Sequence, residues 1–237
     1  MDGPPGLAVT ARDFGLRGPR GWAFRGVSVD AEPGSLIGVE GPSGSGRTCL
    51  LLALTGRMRP TEGRAEVGGF ELPRRMSAVR RRSALAHVSG VTDLDPALTV
   101  GEHLREQALL QRRFGGPPRP CADTATATVG LDPASLPKAE RTAVRDLERL
   151  EALRLSLALA LLGRPRLLAV DDTDLKLSPA ERDDVRRLLE SVTETGTTVL
   201  AVFGEAPRGA VVVRTTAGTH DDTKEAAADA LAGTGRS

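Results

Sequence analysis

Short, almost wholly apolar runs recur along the chain at residues 35–40, 85–88, 167–170 and 198–203, with longer segments of helical spacing between them. Apolar runs of this length, bounded by turn residues, predict strands buried on both faces. Residues 49–54 predict an apolar helix directly after the first run, and residues 179–194 a helix between the last two. From residue 7 to 40, turn-rich pieces such as Arg17-Gly18-Pro19-Arg20-Gly21 and Glu32-Pro33-Gly34 separate short β-like runs such as Val27-Ser28-Val29. More short strands and turns fall within 63–73. Residues 99–162 carry helical periodicity, broken at Gly115-Gly116-Pro117-Pro118-Arg119-Pro120, which predicts an exposed joint between helices. The alternation of strands and helices predicts a parallel α/β sheet in one domain over residues 1–215, with a helical insert over about 92–160. Beyond Thr216 the chain is rich in Gly, Thr, Asp and Ala. Residues 216–237 therefore read as a polar tail with at most a weak helix over 225–231.

The segment joining the first buried strand to its helix is Gly41-Pro42-Ser43-Gly44-Ser45-Gly46-Arg47-Thr48. It matches the phosphate-binding loop G-x-x-x-x-G-K-[ST] at both glycines and the hydroxyl, with Arg47 in place of lysine. Backbone N–H groups of such a loop point inward at phosphates, helped by the positive end of the next helix. Glycines let the backbone turn tightly and approach closely. Arg47 keeps the positive charge, but its planar fork is bulkier and donates in fixed directions. Thr48 retains the hydroxyl that ligates Mg²⁺.

Composition changes this picture in two ways. The chain carries 32 basic and 31 acidic residues, so no overall field points to nucleic acid or a membrane surface. Its only lysines are Lys138, Lys176 and Lys224, a bias that fits a high-GC bacterial gene and supplies coding drift as one origin of Arg47. Two widely separated cysteines, Cys49 and Cys121, predict no disulfide framework and suit a reducing cytoplasm. The N-terminus lacks the basic start and apolar stretch of a signal peptide. Apolar runs fall short of the roughly 18 residues that a membrane-spanning helix needs.

A second acidic element completes the candidate chemistry. Leu167-Leu168-Ala169-Val170 runs directly into Asp171-Asp172. An acid at the carboxyl end of a buried strand stands at the crevice where α/β sheets bind ligands. Asp171 is the expected metal-side carboxylate, and Asp172 stands where a general base would sit.

Together these segments resemble the ATP-binding subunit of an ABC transporter over nearly all of residues 7–215. The family's signature segment falls on Leu147-Glu148-Arg149-Leu150-Glu151, its Q-loop region on residues 85–100, and its D-loop on Ser178-Pro179. The resemblance implies a P-loop NTPase with a RecA-like parallel sheet, an N-terminal antiparallel β part and an inserted helical subdomain. It also implies ATP and Mg²⁺ as ligands, with Gly41 to Cys49 around the nucleotide and Thr48 and Asp171 at the metal. An aromatic residue that stacks on adenine is expected, for which Trp22 and Phe14 are the candidates.

Several letters of that pattern differ here. Glu148, Arg149 and Leu150 replace the serine and glycines that grip a γ-phosphate bound to the opposing subunit. Glu148 would set a carboxylate near phosphate, which is unfavourable unless a cation intervenes. Gly90 stands at the Q-loop glutamine, Gly204 at the switch histidine, Cys49 at a second hydroxyl, and Asp172 at the catalytic glutamate. His87, His103 and His220 match no catalytic position and read as surface or structural residues. The arginines at 74–75 and 80–82 lack interleaved aromatics, which argues against nucleic acid and for a solvated helix face. The expected function is the ATP-binding subunit of a bacterial transporter with weak or absent hydrolysis. It would lie in the cytoplasm against the membrane through a separately encoded membrane-spanning subunit, as a homodimer or a heterodimer with another ATP-binding subunit. The alternative is a nucleotide-binding regulatory or scaffolding module without turnover. A P-loop kinase or GTPase fits less well, since no guanine-reading motif is present.

Overall fold

The computed structural model describes residues 5–19, 21–112 and 122–216. The joint at 115–120 and the tail beyond 216 lie outside these residues, as do Cys121 and His220.

Two sheets organise the chain. β1 (Val9–Gly18) and β2 (Gly21–Ala31) form a long antiparallel hairpin, extended by β4 (Glu62–Val67) and β5 (Phe70–Leu72) into a sheet of order β2-β1-β4-β5. β3 (Leu36–Glu40), β6 (Ser83–Ala86), β7 (Leu167–Val170), β8 (Thr198–Val202) and β9 (Val211–Arg214) form the second sheet, of order β6-β7-β8-β3-β9. All four of its pairings are parallel. β7 and β8 are buried at every position, as continuous apolar runs in the centre of a parallel sheet must be.

Helix α1 (Arg47–Leu54) lies between the sheets, with Leu50, Leu51, Ala53 and Leu54 buried against apolar side chains from both. The other face of the parallel sheet is covered by α5 (Arg149–Leu161) and α6 (Pro179–Glu194). Val185, Leu188, Leu189 and Val192 give α6 one apolar stripe at helical spacing. Ser178 and Glu181 close its first turn in a reciprocal capping box, with proline at the first helical position. α5 is buried around most of its circumference, so its apolar run is core. Among the described residues no helix is long and apolar enough to cross a membrane.

The structure corrects the sequence reading in several places. The run at 85–88 is not a strand throughout: β6 ends at Ala86, and His87 turns into the left-handed region at φ 52°. Among the described residues of 99–162, helical structure is confined to α3 (Val100–Arg112), α4 (Ala122–Thr128) and α5, apart from three single 3₁₀ turns between α4 and α5. Asp132 caps the first of these turns by accepting from the Ala134 amide, and Pro133 follows it at the first helical position. Pro137 then has no N–H with which to carry a helical ladder onward. β9 stands outside the sequence expectation, since Val211-Val212-Val213 is too short a run to stand out beside its neighbours. Arg74, Arg75, Arg80 and Arg81 are exposed, as a solvated face requires, and Arg82 is half-buried. Arg80 donates to the Gly56 carbonyl at 3.2 Å, Arg82 donates to the Ala78 carbonyl at 3.1 Å, and the Arg82 guanidinium lies 4.6 Å from the Phe70 ring centroid.

Candidate functional site

The loop between β3 and α1 is shaped by its glycines. Gly46 sits at φ 81°, and a Cβ there would meet the Ala23 carbonyl oxygen at 2.0 Å, so no other residue fits without moving β2. This contact also brings β2, and with it Trp22, to the edge of the loop. Ser45 is buried and shares a hydrogen bond with Thr215 at 2.6 Å, which ties the loop to the end of β9. Gly46 is the N-cap of α1 and supplies no side-chain cap. The first backbone N–H groups of a helix have no intrahelical partner, so the start of α1 is left open to an anion.

Thr48 and Asp171 meet across this opening. The Thr48 hydroxyl donates to Asp171 Oδ2 at 2.5 Å, and the Asp172 amide donates to Asp171 Oδ1 at 2.9 Å. Burial raises the Asp171 carboxyl above its ordinary range, and the Asp172 charge adds to this. The Thr48 hydroxyl, the Asp172 amide and the Arg47 charge oppose it. A buried carboxylate beside a hydroxyl is a suitable donor set for Mg²⁺, which takes one or two protein oxygens and completes its shell with water and phosphate. Cys49 is a half-buried free thiol whose pKa is raised, first by burial and then by Asp171, so it stays protonated.

Arg47 lines a cleft of about 470 Å³ together with Asp172, Asp174, Arg182, Arg186 and Gly204. The Gly204 amide donates to Asp174 Oδ2 at 2.7 Å. A Cβ at Gly204 would meet nothing closer than that oxygen, at 3.4 Å, so the position has room for a side chain. Gly90 lies in an exposed turn and donates its amide to Asp93 at 2.8 Å.

Trp22 is half-buried, with the Arg25 guanidinium 4.6 Å and the Arg17 guanidinium 5.7 Å from its ring centroid. Its indole nitrogen is buried without a partner among the described residues. Phe14 is fully buried against Phe24, with ring centroids 5.7 Å apart, and is therefore core.

The segment Leu147 to Glu151 forms the start of α5. Glu148 is its N-cap, and its side chain accepts from the Glu151 backbone while Glu151 accepts from the Glu148 amide at 2.8 Å. The sequence reading sets Glu148 near phosphate and misses this box, because glutamate is not among the Ser, Thr, Asp and Asn caps that signal one. His87, expected as a surface or structural residue, is half-buried and lines a second cavity with Arg57, His103 and Ser156. The charges of Arg149, Asp172, Asp171 and Asp93 all act on its ring. His103 is buried, with its Nε2 3.3 Å from the Asp95 carbonyl oxygen.

The chain is similar in sequence and in fold to known proteins. The family described as ABC transporter matches residues 24–174. An ABC transporter ATP-binding protein of Gloeobacter violaceus is 34% identical over 173 residues, covering 73% of this chain and 70% of that protein. The Nod factor export ATP-binding protein I of Cupriavidus metallidurans is 31% identical over 174 residues, covering 73% of this chain. That stretch is 55% of the relative's own length, so the match spans about half of it. Among solved structures, a bacterial ABC transporter cassette in dimeric form superimposes with a TM-score of 0.70 at 19% identity, covering 89% of this chain and 95% of that one. A post-hydrolysis form of that cassette, bound to ADP and Pi, gives 0.69 at 19% identity over the same shares.

Proposed function

The chain belongs to the ABC transporter family, and we propose that it binds Mg-ATP through residues 41–49 as the ATP-binding subunit of a bacterial transporter, with weak or absent hydrolysis of its own. The observation that carries this reading is the open start of α1 beside the Thr48–Asp171 pair. Backbone donors and the helix dipole receive the phosphates, and Arg47 adds a charge from the adjoining cleft. Trp22, next to the Ala23 that packs on Gly46, is the aromatic offered to the base. Mg²⁺, when bound at Thr48 and Asp171, would neutralise phosphate charge. Asp172 is the residue available to orient water. Gly90 and Gly204 offer no side chain for that task, which supports slow turnover. A thousandfold loss of rate corresponds to only about 4 kcal/mol of barrier.

The partners follow from the same reading: a separately encoded membrane-spanning subunit and a second ATP-binding subunit, identical or not, at the inner face of the membrane. Residues 1–215 act as one cassette, with the insert over about 92–160. A second reading, a regulatory or scaffolding module without turnover, is favoured by the capped start of α5. Calorimetric titration with Mg-ATP, beside Arg47→Ala, tests the proposal. Saturable binding weakened by the substitution supports it, and no binding up to millimolar ATP would sink it.

A further inference from the structure

The antiparallel sheet has an outer face turned away from α1. Ala11 and Ala65 belong to the core that holds α1, while their neighbours Thr10, Arg12, Arg64 and Glu66 are exposed on the opposite face. There Arg12 on β1 lies directly opposite Arg64 on β4. Like charges in that position weaken a strand pair. Neither guanidinium has an ion pair or a side-chain hydrogen bond among the described residues.

The backbone beside the pair is strained on both strands. Asp13, next to Arg12, is left-handed at φ 48° without being glycine, and its amide donates to Ser28 Oγ at 3.2 Å. Gly63, next to Arg64, is left-handed at φ 74°, and a Cβ there would run into the Asp13 carbonyl. The register of β1 shifts between Ala11 and Phe14 against β2, and between Arg12 and Gly15 against β4. Irregularities of this kind bend a strand and re-aim side chains, and such strain clusters at functional positions. A hollow of about 630 Å³ opens on this face, with Arg12, Arg64, Glu66, Glu71 and Arg74 in its lining. Arg74 pairs with Glu71 at 3.2 Å, which leaves Glu66 as the carboxylate without an ion pair among the described residues.

We propose that this hollow binds a small phosphate monoester that also carries hydroxyl groups. The forks of Arg12 and Arg64 present paired donors that match phosphate oxygens, and a dianion between them removes their mutual repulsion. Glu66 follows Arg64 on the same face, two residues or about 7 Å along β4, and accepts from hydroxyls at the far end of the ligand. The site lies on the other side of the sheet from α1 and does not depend on the nucleotide loop.

The test is calorimetric titration of the full chain with glucose 6-phosphate, beside inorganic phosphate and glucose, in wild type, Arg12→Ala, Arg64→Ala and Arg47→Ala, with thermal midpoints. The expected result is saturable binding of glucose 6-phosphate by wild type and Arg47→Ala, about tenfold weaker in Arg12→Ala and in Arg64→Ala. Inorganic phosphate binds more weakly and glucose not at all. Midpoints of Arg12→Ala and Arg64→Ala are no lower than that of wild type, since each substitution removes half of a repelling pair. No saturable binding by wild type at millimolar glucose 6-phosphate would overturn the proposal, as would inorganic phosphate binding equally well. Binding lost in Arg47→Ala but kept in Arg12→Ala and Arg64→Ala would assign the phosphate to the nucleotide loop and overturn it while leaving the proposed function standing. A fall in midpoint alongside the loss of binding would make the two arginines structural and overturn it too.

Discussion

Helices α1 and α5 pack on opposite faces of the parallel sheet, and their first turns are finished in opposite ways. At α1 the cap is Gly46, which has no side chain, and the first amides stay open. At α5 the cap is Glu148, and two carboxylates of the chain close the turn in a reciprocal box. An open helix start attracts anions, whereas one already holding carboxylates repels them. One region leaves its first amides without a side-chain cap and the other is already satisfied. Under the proposed function, holding a nucleotide and clamping it are then separable.

Forcing a side chain into the open turn should do the most damage. Gly46→Ala places a Cβ against the Ala23 carbonyl and should abolish Mg-ATP binding in a calorimetric titration, with a lowered thermal midpoint. Arg47→Ala should weaken ATP by about 1.5–3 kcal/mol, or roughly ten- to hundredfold, while leaving the thermal midpoint of the free protein unchanged. At the closed helix the consequence reverses. Glu148→Ala should cost about 1 kcal/mol in denaturant unfolding and leave ATP affinity intact. A slighter change belongs to the second box, at α6. Hydrogen bonds from the Ser178 hydroxyl and amide depress the Glu181 pKa. Its contribution is therefore full above the ordinary glutamate pKa and is lost as pH falls through the depressed value. Glu181→Gln should flatten that acid limb of a stability profile.

Much of this is legible in the sequence because it depends on local rules. The glycine loop, β7 running into Asp171, and α6 with its Ser-Pro start carry their own signals. Other features depend on distant partners. β9 is a short valine run made a strand by pairing with β3. His87 comes within the field of Asp171 and Asp172 only because β6 ends beside β7. Trp22 is legible as an aromatic ahead of the loop, but the arginines over its ring are not. The turns between α4 and α5 reflect local capping at Asp132 that helical spacing alone conceals.

Whether holding is separate from turnover can be read by incubating the chain with Mg-ATP, removing free nucleotide, and identifying what the protein retains. Stoichiometric nucleotide recovered almost wholly as ATP is the expected result. Recovery as ADP would show that the chain hydrolyses ATP unaided, and would contradict the separation of binding from turnover.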